Sequence, residues 1–319
     1  RCMRFAEYGS VEELRGLLAE LRECPVRRLL HIGGGSNLLF LRDYDGTLLH
    51  SAIRGIETEA EDERRVFLKV GSGEIWDELV AYCVGKGWGG IENLSLIPGE
   101  VGAAAVQNIG AYGTEVCDCI TRVDAVSLAD GSPRTFSREE CAYSYRDSIF
   151  KQAERGKYFV TYVHLVLEKG GAPRLDYRGL SGLLPHGAAS TLAEVRDAVI
   201  TLRREKLPDP EEWGNAGSFF MNPIVPDELY LSLKQQYPGL PSYKAGAAHT
   251  KIPAAWLIEQ CGWKGRALGN AAVWERQPLV LINRGHASAS EITGLAGRIV
   301  ADVQAKFGIT LHPEVNYIS

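Results

Sequence analysis

The chain has 319 residues, 45% of them hydrophobic and 24% charged, an ordinary balance for a globular protein of two or three domains and not for a disordered or fibrous one. Its formal net charge of -5 argues against a nucleic-acid partner, so an anionic small ligand has to be held by local cations. No apolar run reaches the roughly 20 residues of a membrane span, Arg1-Cys2-Met3-Arg4 is not a signal peptide, and the seven cysteines lack a CxxC pair or zinc spacing, so we expect a cytoplasmic monomer without a metal.

In chain order, Ser10 and Glu13 form a capping box, and Val11, Leu14, Leu17, Leu18 and Leu21 share one face, which predicts a helix over residues 10–23. A strand follows at 28–32. The loop Gly33-Gly34-Gly35-Ser36-Asn37 then leads into a second apolar strand at 38–41. Its unobstructed backbone N–H groups suit a pyrophosphate, but strand-to-strand placement and three consecutive glycines depart from the GxGxxG pattern. Taken alone, it reads as a tight turn.

Residues 66–70 alternate as a strand and 74–86 carry helical spacing. The small-residue run 97–113 is too irregular for a plain helix and permits close backbone approach, either to a flat cofactor or to another element. Cys117 and Cys119 flank Asp118 in an expected strand, where packing is the better reading than metal or redox chemistry. Strands are expected at 121–128, 134–136 and 158–167, with a hairpin turn at Asp130-Gly131.

Thr191 and Glu194 open a helix running to about residue 204, after which Pro208 and Pro210 mark a domain boundary. Helices at 227–236, 253–261 and 290–307, a strand at 279–283, and a returning strand over 309–318 complete an α+β chain. Within the last third, Gly214-Asn215-Ala216-Gly217-Ser218-Phe219-Phe220-Met221-Asn222-Pro223 sets one hydroxyl between glycines and aromatics.

Five segments occur together in one order: Gly33 to Leu39; Ile97-Pro98-Gly99 with Asn108-Ile109-Gly110-Ala111-Tyr112-Gly113; Tyr145-Arg146-Asp147-Ser148-Ile149-Phe150; Gly214 to Pro223; and Pro313-Glu314-Val315. Over nearly its whole length the chain resembles the UDP-N-acetylenolpyruvoylglucosamine reductases, flavoenzymes of peptidoglycan precursor synthesis. The resemblance implies an FAD-binding fold of the vanillyl-alcohol-oxidase (PCMH) type in two subdomains, 1–54 (joined by the returning strand 309–319) and 55–204, plus an α+β substrate-binding domain at 205–308. It also implies an oxidoreductase in which NADPH reduces FAD. Hydride then passes to the enolpyruvyl ether of UDP-N-acetylglucosamine enolpyruvate, giving UDP-N-acetylmuramate.

Hydride addition leaves negative charge on the carbon beside the carboxylate, which calls for a charge stabiliser and a proton donor. On the resemblance, Arg146 grips the carboxylate, Ser218 donates the proton and Glu314 assists the intermediate, acting best when protonated. The cofactor residues carried over are Gly33, Gly34, Gly35, Ser36, Asn37, Leu38, Ile97, Pro98, Gly99, Asn108, Gly110, Ala111 and Gly113. The substrate residues are Tyr112, Tyr177, Lys206, Asn222, Tyr243, Lys264 and Gln277, with Tyr177 on the mobile tyrosine loop of the family's first subtype.

This sequence departs from the family pattern at Met221, where a basic residue is common, and at His312. It also lacks the N-terminal Asn-Thr-Phe segment, so it is expected to begin inside the first subdomain. Two rival readings share the scaffold: an FAD-dependent oxidase passing electrons to oxygen, and a flavin-binding module without chemistry. The set of Arg146, Ser218 and Glu314 speaks against the second.

Overall fold

The computed structural model describes residues 1–23, 28–175, 180–184 and 190–319. The chain divides into two compact units, 1–35 with 44–203, and 36–43 with 204–319.

Among the described residues, the first unit holds two main sheets besides the small hairpin Gly110–Ala111/Thr114–Glu115. Three parallel strands, Cys2–Tyr8, Tyr44–Ser51 and Leu29–Ile32, place Tyr44–Ser51 in the middle. The helix Val11–Glu23 covers them with Leu14, Leu18 and Leu21, which join Tyr8, Leu49, Ile53, Val126 and Phe159 in one apolar cluster. The Ser10 hydroxyl accepts from the Glu13 amide at 3.1 Å, as the capping pattern requires.

The second sheet has six strands. Tyr158–Lys169 lies between Ile120–Ser127 and Arg65–Gly71, with Pro133–Ser137 and Ile56–Glu61 outside them and Trp88–Gly89 on the end of the long strand. Leu68, Val70, Val123, Val163 and Leu165 alternate onto one face and bury against the helices Trp76–Gly85 and Val101–Gln107. Asp130-Gly131 turns the hairpin as expected, with Gly131 at φ 74°.

Three expectations are corrected. The run 97–113 contains the regular helix Val101–Gln107, ended by Asn108 at φ 47°; at Gly102 the small residue serves packing, since a Cβ there would lie 2.7 Å from Ser72 Cβ. Cys117 and Asp118 belong not to a strand but to the 3-10 turn Val116–Asp118, which is closed by reciprocal capping between Glu115 and Asp118. Burial pushes the neighbouring Cys119 thiol up to about 12, so it stays protonated.

In the second unit a four-stranded sheet runs Gly214–Ser218, Val280–Asn283, Ala271–Val273, Ala267–Leu268. A three-stranded sheet is built from Ile224–Pro226, His249–Lys251 and Tyr243–Lys244. Phe219, Phe220, Leu257, Ile258, Leu295, Ile299 and Val303 form the core under the helices Ala254–Gln260 and Ala289–Phe307. The long helix begins with a Ser288/Glu291 capping box and ends on Gly308 at φ 68°.

The third correction concerns the chain end. Only Asn316–Ile318 is strand, paired in parallel with Leu38–Phe40. Before it, Pro313 has no N–H to continue a ladder, and it makes a single bridge to Phe220.

A Gly102→Ala substitution should cost about 1–3 kcal/mol, because the added methyl meets Ser72 with no room to move. Denaturant unfolding of the two proteins checks this, and equal midpoints would contradict the packing account.

Candidate active site

In the first unit, the parallel sheet brings the carboxyl ends of its strands to one edge, and the glycine loop leaves that edge directly after Ile32. Such an edge is where ligands bind in parallel sheets. A Cβ on Gly34 would lie 3.6 Å from Gly99 Cα, and one on Gly33 would lie 3.2 Å from both Ala103 Cβ and a Glu100 carboxylate oxygen. Gly34 thus lies against Gly99, and Gly33 against Glu100 and Ala103 just beyond it, so the structure brings two of the predicted cofactor motifs together. Among the described residues, the amides of Gly33, Gly34 and Gly35 donate to no backbone carbonyl, and Gly35 is left-handed at φ 72°. Backbone donors without side-chain cover fit the diphosphate of a dinucleotide.

Left-handed non-glycine residues cluster nearby in sequence: Leu96, Asn108, Tyr112 and Arg146 have φ of 58°, 47°, 49° and 57°. Such conformations persist only where the surroundings hold them. Asn108 supplies much of the hold. Fully buried, it donates to Ser144 O at 2.8 Å and Glu115 Oε2 at 3.0 Å, and accepts from the Cys117 amide at 3.2 Å. Its side chain is therefore occupied within the protein, tying the cofactor motif 108–113 to the Tyr145-Arg146 turn.

Arg146 reaches back to the same motif. Its guanidinium donates to the Gly110 carbonyl and lies 5.2 Å from the Tyr145 ring centroid, while Lys151 Nζ donates to the Arg146 carbonyl at 2.6 Å. Gly110 has no Cβ because one would stand 2.9 Å from an Arg146 terminal nitrogen. Ala111 lies beside Gly110 in the Gly110–Ala111/Thr114–Glu115 hairpin. Tyr112 and Gly113, at φ 49° and 82°, make its turn.

Tyr112 packs on Leu180, Leu184, Val195 and Leu202. Burial raises its phenol pKa, against the lowering effect of the nearby Arg203 guanidinium. Arg203, not among the predicted residues, also donates from Nε to Leu96 O at 3.2 Å, and burial lowers its own pKa. In sequence it lies in the charged run Arg203-Arg204-Glu205-Lys206, outside the five motif segments. Tyr177 lies outside the described residues.

In the second unit, Asn215 Oδ1 accepts from the Gly217 amide at 3.0 Å, and Gly217 at φ 70° breaks the register between Gly214–Ser218 and Val280–Asn283. This bulge presents Ser218 to solvent while Phe219 and Phe220 anchor the next two positions in the core. Phe219 O accepts from the Glu314 amide at 2.9 Å, and Met221 N donates to His312 O at 2.9 Å. Both departures from the family pattern thus meet through their backbones. Asn37 Nδ2 donates to Glu314 O at 3.2 Å, and Leu38 pairs with Asn316. Ser218, Glu314 and the Ser36-Asn37-Leu38 end of the glycine motif are thereby brought together.

The predicted substrate residues of this unit are spread more widely. Asn222 Oδ1 accepts from the Ala254 amide at 2.9 Å and so starts a helix. Tyr243 lies opposite Lys251, whose ammonium is 5.9 Å from its ring centroid, a pairing visible only through strand register. Lys264 is exposed and bonded to Glu259 at 2.8 Å. Gln277 O accepts from the Val280 amide at 3.0 Å, and exposed Lys206 offers its carbonyl to Trp274 Nε1 at 3.0 Å.

Two family models match the chain, an FAD binding domain over residues 4–137 and the C-terminal domain of UDP-N-acetylenolpyruvoylglucosamine reductase over residues 209–318. The Bacteroides fragilis protein of that name is 53% identical over 314 residues, which cover 98% of this chain and 94% of that protein. This chain belongs to the UDP-N-acetylenolpyruvoylglucosamine reductase family. The reductase of Porphyromonas gingivalis is 48% identical, with 93% and 87% of the two chains covered. The fold is that of the family's Thermus caldophilus crystal structure, at a TM-score of 0.67 and 22% identity over 99% of this chain and 92% of that one.

In a reductase of this family, Gly110→Ala should displace the Arg146 guanidinium. We expect turnover to fall by about a hundredfold, the usual scale for an ångström of misplacement. Steady-state kinetics checks this, and unchanged turnover would show that Gly110 does not position Arg146.

Proposed function

We propose that this chain reduces the enolpyruvyl ether of UDP-N-acetylglucosamine enolpyruvate to UDP-N-acetylmuramate, with NADPH as the reductant and FAD as the resident cofactor. Bound FAD, once reduced, supplies the hydride. The unbonded amides of Gly33, Gly34 and Gly35 and their close approach to Gly99 support a diphosphate held by backbone. Ser36, Asn37, Leu38, Ile97, Pro98, Asn108, Gly110, Ala111 and Gly113 complete the proposed cofactor contacts, with Asn108 acting through the turns that it fixes.

The residues divide the rest of the chemistry. Arg146 presents a planar guanidinium fork that fits the substrate carboxylate as negative charge develops beside it. Ser218 is the proton donor: the acceptor is a strongly basic carbon, so placement of the hydroxyl matters more than its acidity. Glu314 assists the charged intermediate from the segment hydrogen-bonded to Phe219. The observation that carries this assignment is the Gly217 bulge, which exposes the Ser218 hydroxyl on a segment paired with Glu314.

Tyr112, Asn222, Tyr243, Lys206, Lys264 and Gln277 are the proposed substrate contacts, and Tyr177 closes over the nucleotide and excludes water. The division into subdomains 1–54 and 55–204 is supported by the two separate sheets of the first unit, and residues 205–308 form the substrate-binding domain. We further propose a cytoplasmic monomer; among the described residues no helix is long and apolar enough to cross a membrane.

Ser218→Ala should retain flavin reduction by NADPH and lose product formation by a factor on the order of a hundred or more. Anaerobic measurement of the two half-reactions separates them. Product formation at the parent rate would remove Ser218 from its role.

A further inference from the structure

One buried charge pair under the glycine loop is not used by this chemistry. Glu100 directly follows Gly99, and its side chain is only 10% exposed. One carboxylate oxygen lies 3.2 Å from where a Cβ on Gly33 would be, so the carboxylate sits against the loop whose amides face the proposed diphosphate. Two anions at close range in a partly buried setting repel. An uncompensated Glu100 would therefore oppose binding of the group that the loop is built to hold.

The compensation comes from the central strand of the parallel sheet. His50 lies opposite Ile32, the residue before the loop, on one side and opposite Glu7 on the other. Its Nε2 is 2.8 Å from Glu100 Oε1 and its Nδ1 is 2.8 Å from Glu7 Oε2. Where both carboxylates are ionised they only accept, so an imidazolium, with a hydrogen on each ring nitrogen, satisfies both contacts.

His31, on the neighbouring strand Leu29–Ile32, does not compete for that charge. Burial, reinforced by the nearby His50 charge, pushes it down to about 3, and as a neutral ring it shares a hydrogen bond with the Tyr8 hydroxyl at 2.7 Å. Phe5 stacks on His50 at 6.2 Å between centroids. The charged groups facing His50 are thus Glu7 from the first strand and Glu100 from the segment before the helix Val101–Gln107, with neutral His31 and Tyr8 beside them. Burial alone would lower the His50 pKa, but its hydrogen bonds to Glu100 and Glu7 outweigh this and raise it.

We propose that His50 is a positioning residue for the flavin diphosphate: protonated, it neutralises Glu100 beneath Gly33 and Gly34, and cofactor affinity depends on that proton. The inference rests on the reading of the glycine loop as the diphosphate cradle. A raised folded-state pKa makes the contribution complete below pH 6.5 and removes it as pH rises through the folded value. FAD affinity should accordingly be level in mild acid and fall with rising pH, by on the order of tenfold once His50 is neutral.

Glu100→Gln keeps the shape and removes the charge, so its affinity should no longer fall with pH over that range. His50→Gln should bind FAD more weakly than the parent in mild acid, and adding Glu100→Gln to it should restore most of the loss. The readout is the rise of free-flavin fluorescence on dilution of the holoenzyme across pH, with thermal unfolding of each variant to confirm folding.

Parallel pH profiles for the parent and Glu100→Gln, or a pH-invariant parent, would overturn the role of His50 while leaving FAD binding intact. A folded parent that holds no FAD at any pH would instead remove the cofactor reading itself.

Discussion

The first unit depends on close contact between two stretches of backbone. Gly33 and Gly34 meet Gly99 and Glu100 at distances that a side chain would fill, and Gly102 meets Ser72 more tightly still. Small residues at these points let a parallel-strand edge, a strained loop and a short helix converge on one place. The same requirement recurs at Gly110, where the missing Cβ leaves space for the Arg146 guanidinium. What looks like low complexity in 97–113 is a set of steric conditions, each with an identifiable neighbour.

Close approach also explains the electrostatics. The glycine loop offers amides but no cation, and the charge beneath it is negative at Glu100. A sheet residue, His50, supplies the balance through a pair that sequence separation hides. Around Arg146 the contacts are of another kind: the guanidinium donates to the carbonyl of Gly110 and lies against the ring of Tyr145, which fixes it beside the 108–113 motif. Hydrogen bonds from Asn108 then hold the left-handed turns in place, and strain is confined to positions that bear on the site.

Features set by short-range rules were legible in the sequence. The helices Val11–Glu23 and Ala289–Phe307 announce themselves by capping residues and apolar spacing, and Asp130-Gly131 marks its hairpin. The ordered motifs gave the family and placed Ser218 and Glu314 in the same site, and the structure shows their segments hydrogen-bonded. Less legible were features made by tertiary contact. Tyr44–Ser51, with Asp45 and Gly46 near its start, drew no expectation from the sequence but is the central strand of a sheet. Arg203 drew no expectation from the sequence and is half-buried beside Tyr112. Periodicity over-extended the final strand because alternation continued through Pro313, which cannot donate to a ladder.

On the proposed function, a flavin held by this chain carries electrons from NADPH to the enolpyruvyl nucleotide. Anaerobic stopped-flow absorbance tests it most directly, with NADPH mixed first and UDP-N-acetylglucosamine enolpyruvate second. The account predicts bleaching of the oxidised flavin band in the first mix and its rapid return in the second. A reduced flavin that reoxidises no faster with the nucleotide than with buffer would contradict it.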